Sequence, residues 1–197
     1  MFVAFEGGEG SGKSTQARLL ASRLDAVLTH EPGGTRLGAR IRQLVLDAGG
    51  TVDPRAEALL FAADRAQHMA EVIGPALARG DDVVTDRYVY SSVAYQAFGR
   101  GLDRQAVRTL SDFAAAPEAD LVVYLAVSPA VRAQRLKSEP DRIEASGDEF
   151  HARVDDGFRA MAAADPHRWV VVDGDGAADE VAEKVWAAVS ERAARAG

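Results

Sequence analysis

The first chemistry visible in this chain is a glycine-rich segment from Gly7 to Thr15, with the sequence GGEGSGKST. It fits the pattern GxxxxGK[ST], in which glycines let backbone N–H groups surround a phosphate chain and the lysine reaches the outer phosphates. The serine that follows the lysine offers its hydroxyl to Mg²⁺. We therefore predict a binding site for nucleotide phosphates, formed by Gly7, Gly8, Glu9, Gly10, Ser11, Gly12, Lys13, Ser14 and Thr15.

The flanks of this segment support the interpretation. An apolar run, Met1 to Phe5, precedes it, and a helical pattern with Ala17, Leu20 and Leu24 on one face follows it. This is the strand, loop and helix order that the pattern needs, and the helix adds the positive end of its dipole.

Further strands and helices alternate along the chain. The four later strands are predicted at 26–29, 82–85, 121–127 and 169–172. Between them we predict helices after a Thr35 cap, from Asp53-Pro54 to about Arg79, from about Ser91 and from about Asp103, and a closing helix through Val181, Val185 and Val189. Gly74-Pro75 should kink or divide the longest helix. Such alternation is typical of a doubly wound parallel α/β sheet, whose ligands bind at the carboxyl ends of the strands.

The segment 132–148 differs from its surroundings. It is rich in charge and has only Leu136 and Ile143 as large apolar residues. We therefore expect a mobile lid rather than a part of the core.

Composition narrows the class of protein. A chain of 197 residues, 47% of them hydrophobic, suits a single domain over 1–197. It has no cysteine, its four histidines are scattered, and it shows neither a leader peptide nor a membrane-length apolar run, so we expect a cytoplasmic protein. The net charge of −7 favours small phosphorylated ligands over a nucleic acid.

Three more stretches carry a family resemblance: Glu31 to Thr35 (EPGGT), Leu60 to Arg65 (LFAADR) and Asp86 to Gln96 (DRYVYSSVAYQ). Together with the phosphate loop, they closely resemble thymidylate kinases, in particular the bacterial type with lid arginines, over the whole chain. The resemblance implies the P-loop nucleoside monophosphate kinase fold, a five-stranded parallel sheet flanked by helices. It also implies transfer of a phosphoryl group from ATP to dTMP with Mg²⁺, a step in dTTP synthesis, and a homodimer; the helical stretch 59–77 is our candidate interface.

One position departs from the family pattern. The residue before EPGGT is usually arginine, and here it is His30. This puts an ionic role at that position in doubt, whereas the backbone shape set by Pro32, Gly33 and Gly34 should persist.

Phe61 and Arg65 lie four residues apart and share a helix face, so they can present a flat ring and a guanidinium to one ligand. By itself this pair also fits a core phenylalanine beside a solvated arginine. The resemblance implies that the two residues sandwich thymine and donate to its O4, which would disfavour cytosine.

Asp86 and Arg87 follow a predicted strand, at the edge where such a sheet binds its ligand. Arg87 could clamp the acceptor phosphate, because its donor fork matches phosphate oxygens. Asp86 could orient Mg²⁺-bound water or Arg87, which makes Ser14 and Asp86 our candidate metal-binding residues. A plain surface ion pair is the alternative.

The resemblance assigns the remaining acceptor contacts. Ser91, Ser92 and Gln96 are expected at the acceptor, Tyr95 at the place where a 2′-hydroxyl would project, and Glu9 at the 3′-hydroxyl of the acceptor sugar. Glu6 has no firm assignment and could support its neighbours.

The chemistry implied is direct in-line transfer, which needs positive charge and positioning and no covalent intermediate. The loop 8–11 contains no arginine. Some members of the resembled family carry an arginine there and others supply it from the lid, so the resemblance implies that the lid supplies the cation here. The candidate catalytic residues are therefore Lys13, Asp86, Arg87, Arg132, Arg135 and Arg142.

Two alternatives remain open: another P-loop nucleoside monophosphate or deoxynucleoside kinase, and a nucleotide-dependent switch. The second is disfavoured because the chain has no asparagine for a guanine-reading NKxD motif.

Overall fold

The structure is a computed structural model that describes residues 1–136 and 139–196. Lys137 and Ser138, inside the predicted lid, and Gly197 lie outside the described residues.

Five parallel strands form one sheet, in the order β2-β3-β1-β4-β5. Their apolar, largely continuous sequences suit burial on both faces of a parallel sheet. The predicted five-stranded parallel sheet is confirmed, with each strand within a residue or so of its expected bounds. The strands are β1 (Phe2–Glu6), β2 (Val27–His30), β3 (Val83–Asp86), β4 (Leu121–Ala126) and β5 (Trp169–Asp173).

Helices connect and cover the strands. Those described are α1 (Lys13–Leu24), α2 (Arg36–Leu46), α3 (Pro54–His68), α4 (Gly74–Arg79), α5 (Val89–Ser92), α6 (Arg104–Phe113), α7 (Pro129–Arg135), α8 (Asp148–Ala164) and α9 (Ala178–Ala196). Two wider π-helical turns, Met69–Ile73 and Val93–Gly99, and a 3₁₀ turn, Glu144–Ser146, complete the set. No helix in the described parts of the chain is both long and apolar enough to cross a membrane.

Local sequence signals account for several helix ends. The Thr35 hydroxyl accepts from the backbone N–H of Gly38, and the Asp53 carboxylate accepts from that of Arg55, so both expected caps are present. Pro75 has no N–H to donate. The expected division occurs here as the π turn Met69–Ile73, which separates α3 from α4.

The main differences from the sequence expectations lie after β4. Helix α8 was not predicted; it buries residues at helical spacing, among them Phe150, Val154 and Phe158. Residues 132–135 of the predicted lid belong to helix α7. Ile143 is buried in the main hydrophobic cluster, so this part of the lid contributes to the core.

Apolar side chains pack on both faces of the sheet. On one face Val3 and Phe5 of β1 pack with α1 and α9, and on the other Ala4 packs with Tyr124 and α8. This arrangement brings the carboxyl ends of β1, β2 and β3 to one edge of the sheet. Glu6 and Asp86 are the last residues of β1 and β3, and Glu31 directly follows β2.

Candidate active site

The phosphate loop leaves β1 and enters α1 through glycines in left-handed conformations. Gly10 and Gly12 have φ of 70° and 89°, which residues with a Cβ rarely adopt. A Cβ added at Gly7 would lie only 2.8 Å from the carbonyl oxygen of Leu125. The expected strand, loop and helix order is therefore present, with α1 beginning at Lys13.

Lys13 is buried inside the loop. Its Nζ donates to the carbonyl oxygen of Gly8 at 2.7 Å and to Ser11 Oγ at 3.2 Å. Burial, followed by repulsion from Arg87, lowers the pKa of Lys13 to about 8. The desolvated ammonium is thus placed where an anionic phosphate would restore its favourable environment.

Ser14 and Asp86 meet across the loop, because Ser14 Oγ donates a short hydrogen bond to Asp86 Oδ2. The other carboxylate oxygen, Asp86 Oδ1, is buried and has no hydrogen-bond partner among the described residues. A hydroxyl beside a partly unsatisfied carboxylate supplies the oxygen ligands that Mg²⁺ prefers. The donor set therefore fits that ion.

Arg87 lies at the centre of the site on a strained turn. Its φ is 72°, a left-handed value that is uncommon for a residue with a side chain and often marks a functional position. Nη1 donates to the carbonyl oxygen of Gly7 and to Ser91 Oγ, both at 3.1 Å, and Nη2 donates to Tyr95 Oη at 3.1 Å and to Glu9. Arg87 therefore joins the phosphate loop to the segment beyond β3.

Glu9 is the anionic partner of this guanidinium. Burial would raise the pKa of its carboxyl, but the charges of Arg87 and Lys13 outweigh burial and lower the pKa to about 2. The Tyr95 hydroxyl also donates to Glu9 Oε1, at 3.0 Å. Glu9 is thus held ionised between the two predicted phosphate-binding cations.

Glu6, left unassigned by the sequence, supports the Arg87 turn. Its buried carboxyl group accepts from the backbone N–H of Tyr88 at 2.9 Å and of Ser91 at 3.1 Å, and from Ser91 Oγ at 2.6 Å. Burial raises its pKa to about 7. The signal in the sequence was an acidic residue ending an otherwise apolar buried strand, which calls for dedicated partners.

All eight residues predicted to bind the acceptor line one pocket. They are Glu9, Phe61, Arg65, Arg87, Ser91, Ser92, Tyr95 and Gln96. Helix α3 supplies the ring and the guanidinium, the phosphate loop supplies Glu9, and the residues after β3 supply the other five. The structure thus assembles on one cavity the side chains that the sequence separates by up to 87 positions.

Arg65 is only 2% exposed, which excludes the alternative of a core phenylalanine beside a solvated arginine. Its Nε donates to Glu31 Oε2 at 2.9 Å and its Nη2 to Ser92 Oγ at 3.1 Å. Nη1 donates to Ser111 Oγ at 3.3 Å. The guanidinium is therefore held at the pocket wall by the protein itself.

Arg42 is a pocket residue that the sequence analysis missed. It lines the acceptor pocket and also the adjacent cleft that contains Lys13, Ser14 and Asp86. Its Nη1 donates to the carbonyl oxygen of Pro32 at 3.0 Å. A cation directly after the buried Ile41 on the helix capped by Thr35 was the available signal.

The three lid arginines separate into two groups. Arg132 lies against the phosphate loop, since a Cβ added at Gly8 would lie 2.5 Å from its Nη2, and it donates to Asp155 Oδ2 at 2.6 Å. Arg135 donates to the carbonyl oxygens of Gly174 and Gly176, both at 3.0 Å, and more weakly to the loop carbonyls of Gly10 and Ser11.

Arg142 lies elsewhere. Its Nη2 donates to Glu57 Oε2 at 2.7 Å and its Nε to the carbonyl oxygen of Val45 at 2.9 Å. Glu57 is fully buried and also accepts from Gln96 at 2.9 Å. Arg142 is therefore tied to the acceptor side and not to the phosphate loop.

The loop after β2 is compact, although His30 stands before it in place of the arginine usual in the resembled family. His30 is exposed, and Gly34 passes so close that an added Cβ would lie 2.8 Å from the His30 carbonyl oxygen. Gly33 has φ of 116°, which favours glycine. Gly33 and Gly34 thus both lie where a side chain would be strained or would clash.

A family model described as "Thymidylate kinase" matches residues 5–185. The chain belongs to the thymidylate kinase family. It is accordingly a transferase enzyme, and the resemblance noted in its motifs is confirmed.

Individual relatives are similar in sequence to this chain over nearly its full length. The chain is 50% identical over 201 residues to the thymidylate kinase of Bifidobacterium longum, covering 96% of this chain and 95% of that one. It is 44% identical to the thymidylate kinase of Deinococcus radiodurans, covering 98% and 97%. The crystal structure of thymidylate kinase from Ehrlichia chaffeensis superposes with a TM-score of 0.81 at 33% identity, covering 96% and 98%.

Proposed function

We propose that this chain transfers the γ-phosphoryl group of ATP to dTMP, giving ADP and dTDP, a step in dTTP synthesis. The observation that carries the proposal is the direct link between two phosphate-binding elements: Arg87 Nη1 lies 3.1 Å from the Gly7 carbonyl oxygen and beside the acceptor pocket. An acceptor phosphate on Arg87 would therefore face a γ-phosphate in the loop. Such opposed positioning is most of what phosphoryl transfer requires.

In this reaction an oxygen of the dTMP phosphate forms a bond to the γ-phosphorus, and the bond from that phosphorus to the bridging oxygen of ADP breaks. Lys13 offsets charge on the transferring group, and Arg87 holds the attacking phosphate. The acceptor phosphate, with a second pKa of about 6, is largely ionised at neutral pH, so no strong general base is needed. Mg²⁺, held through Ser14 and Asp86, would supply further positive charge at the donor phosphates.

The acceptor pocket would select the base and the sugar. Phe61 offers a ring on which thymine can stack, and Arg65 offers donors that suit the O4 carbonyl and not the amino group of cytosine. Tyr95 is buried and its hydroxyl is tied to Arg87 and Glu9, so its ring stands as a rigid wall where a 2′-hydroxyl would project. Arg42 would add a second cation on the acceptor side.

The lid would supply a transition-state cation. Arg132 and Arg135 contact the phosphate loop or the segment beside it, which favours these two candidates. Arg142 would have to leave Glu57 to reach the donor phosphates. It stays a candidate, and the effects of alanine substitution on kcat and KM distinguish the three arginines.

A homodimer in the cytoplasm completes the proposal. The predicted interface, the stretch 59–77, starts within helix α3 at Leu59, which is 57% exposed, and Phe113 at the end of the neighbouring helix α6 is 91% exposed. Exposed apolar residues on two packed helices suit a helix-packed interface. A dimeric mass in solution at micromolar concentration, reduced to a monomer by Leu59→Asp, would support it; a monomeric wild-type protein would refute it.

A coupled ADP-release assay across dTMP, dUMP, dCMP, UMP, AMP and thymidine, with ATP and Mg²⁺, tests the proposed reaction. We expect dTMP to have the highest kcat/KM. Faster phosphorylation of UMP, AMP or thymidine would instead identify another kinase of the same architecture.

A further inference from the structure

Behind the acceptor pocket, a buried chain of hydrogen bonds runs from the sheet to Arg65. Thr29 Oγ1 in β2 lies 2.5 Å from His68 Nε2, and His68 Nδ1 lies 3.0 Å from Glu31 Oε1. The second oxygen of Glu31 accepts from Arg65 Nε at 2.9 Å. His68 is completely inaccessible to solvent, and the other three residues are buried.

The hydrogen-bond acceptors in this series determine where its hydrogens lie. The carboxylate of Glu31, paired with a guanidinium, can only accept, so the hydrogen between Glu31 and His68 belongs to Nδ1. In a neutral ring Nε2 then accepts from the Thr29 hydroxyl. Each carboxylate oxygen of Glu31 therefore has its own donor, and the two donors together fix the rotation of the carboxylate.

The backbone of the loop after β2 packs against the ring of His68. A Cβ added at Gly34 would lie 2.8 Å from His68 Nε2, so the loop 31–35 packs directly on the imidazole. The neighbouring charged group, Asp64, is turned to the same loop, where its Oδ1 accepts from the Gly33 N–H at 3.0 Å. His68 thus connects the sheet, the loop and Glu31 at one point.

We propose that His68 is a positioning residue for recognition of the acceptor base: it holds Glu31, and Glu31 aims the donors of Arg65 into the pocket. The inference rests on the proposed function, in which Arg65 reads a carbonyl of the base. Glu31 and Arg65 line the pocket, whereas His68 is not among the described residues that do. It acts through its neighbours, as groups that orient a ligand-binding side chain commonly do.

Two substitutions separate the bonds that His68 makes. The amide nitrogen of His68→Asn can take the place of Nδ1 and keep the bond to Glu31, whereas His68→Gln reaches the Nε2 position and keeps only the bond to Thr29. We expect His68→Gln to raise KM for dTMP about tenfold, the scale of a lost hydrogen bond to a charged group, with kcat nearly unchanged. It should also narrow the ratio of kcat/KM for dTMP over dCMP, and His68→Asn should restore both values.

Thr29→Val is the matched control, since it removes the bond at the other end of the ring. It should lower Tm and leave KM and the dTMP-to-dCMP ratio unchanged. If His68→Gln does not fold, Gly34→Ala should change the same ratio, because its added Cβ would lie 2.8 Å from His68 Nε2 as well as 2.8 Å from the His30 carbonyl oxygen.

The inference is overturned if His68→Asn and His68→Gln change KM equally, or if folded variants lose activity on dTMP and dCMP in proportion. Failure of the proposed function gives a different result, because wild-type protein would then not prefer dTMP. If Arg65→Ala narrows the ratio while His68→Gln and Gly34→Ala keep it, only the role of His68 is wrong.

Discussion

The donor side and the acceptor side of this site are built in different ways. The donor side is one contiguous stretch, Gly7 to Thr15, in which backbone conformation, Lys13 and Ser14 do most of the work. The acceptor side draws its side chains from the β2 loop, from α3 and from the residues after β3, and holds them by buried ion pairs such as that between Glu31 and Arg65.

This difference determines whether a substitution in the site affects catalysis alone or stability as well. Lys13 donates to neutral oxygens of its own loop, and Glu9, whose charge it also stabilises, keeps its ion pair with Arg87 when Lys13 is removed. Arg65 neutralises the buried carboxylate of Glu31, so its removal leaves that carboxylate without its guanidinium partner. Donor-side substitutions should therefore reduce turnover in a stable protein, whereas acceptor-side substitutions should change binding and stability together.

The largest effect is expected from Lys13→Ala. The ammonium offsets charge that develops in the transition state, and loss of one such donor typically costs about 10²–10³ in rate. We expect kcat to fall by about that factor with Tm little changed, measured by coupled assay and thermal unfolding. Turnover close to wild type in folded Lys13→Ala protein would remove the loop from the mechanism.

The lid arginines extend the comparison. A contact made only in the transition state lowers kcat far more than it changes KM. We expect this pattern, with a fall of about 10²-fold, for at least one of Arg132→Ala and Arg135→Ala. Arg142→Ala should instead raise KM for dTMP, because Glu57, which also accepts from the pocket residue Gln96, would lose its bond to Arg142.

Three single variants with near-normal kcat would mean that the cation comes from another source. A fall in kcat confined to Arg142→Ala would show that this arginine leaves Glu57 during turnover.

A smaller effect on rate, with a large effect on stability, is expected from Arg65→Ala. KM for dTMP should rise about tenfold and discrimination against dCMP should weaken. The buried Glu31 left behind should cost about 3–5 kcal/mol of unfolding free energy. Adding Glu31→Gln should recover part of the stability and none of the selectivity; unchanged selectivity in Arg65→Ala would return this residue to a purely structural role.

The same contrast explains what the sequence reveals. Strand positions follow from short apolar runs, caps from Thr35 and Asp53, and the phosphate loop from spacing alone, because each is a local property. The acceptor residues were recognised through motifs and not through contacts. That Phe61, Arg65 and Tyr95 would line one cavity depended on the family pattern, since nothing local links α3 to the residues after β3.

Long-range pairing accounts for what was missed. Helix α8 follows a charged segment. The helical spacing of Phe150, Val154 and Phe158 was a local signal, but their packing against β4 and the π turn Val93–Gly99 was not visible in the sequence. Arg42 is one of three arginines on helix α2, and the sequence does not show which of them faces the pocket. The division of the lid arginines likewise depends on Glu57, which lies 85 residues from Arg142 in the chain.

The smallest expected effect concerns Glu6, which lies between the two sides and supports the Arg87 turn. Its pKa is about 7 in the folded chain, above its ordinary value of 4.5, because burial disfavours the charged form. Between these values the folded state holds a proton that the unfolded state has released. The stabilising contribution is therefore complete below pH 4.5 and is lost as pH rises towards 7, about 3 kcal/mol in total.

Glu6→Gln cannot titrate, so the unfolding free energy of this variant should fall less between pH 4.5 and 7 than that of wild type. Denaturant unfolding across this range measures the difference.

Asp64, whose pKa burial raises to about 6, also lowers the unfolding free energy as pH rises, but it does so equally in both proteins and cancels in the comparison. Glu9→Gln is the control on the donor side: its pKa of about 2 places its contribution below this range, with the opposite sign, so its curve should run parallel to wild type. Parallel curves for Glu6→Gln and wild type would show that Glu6 is ionised in the folded chain and holds the Arg87 turn as a carboxylate.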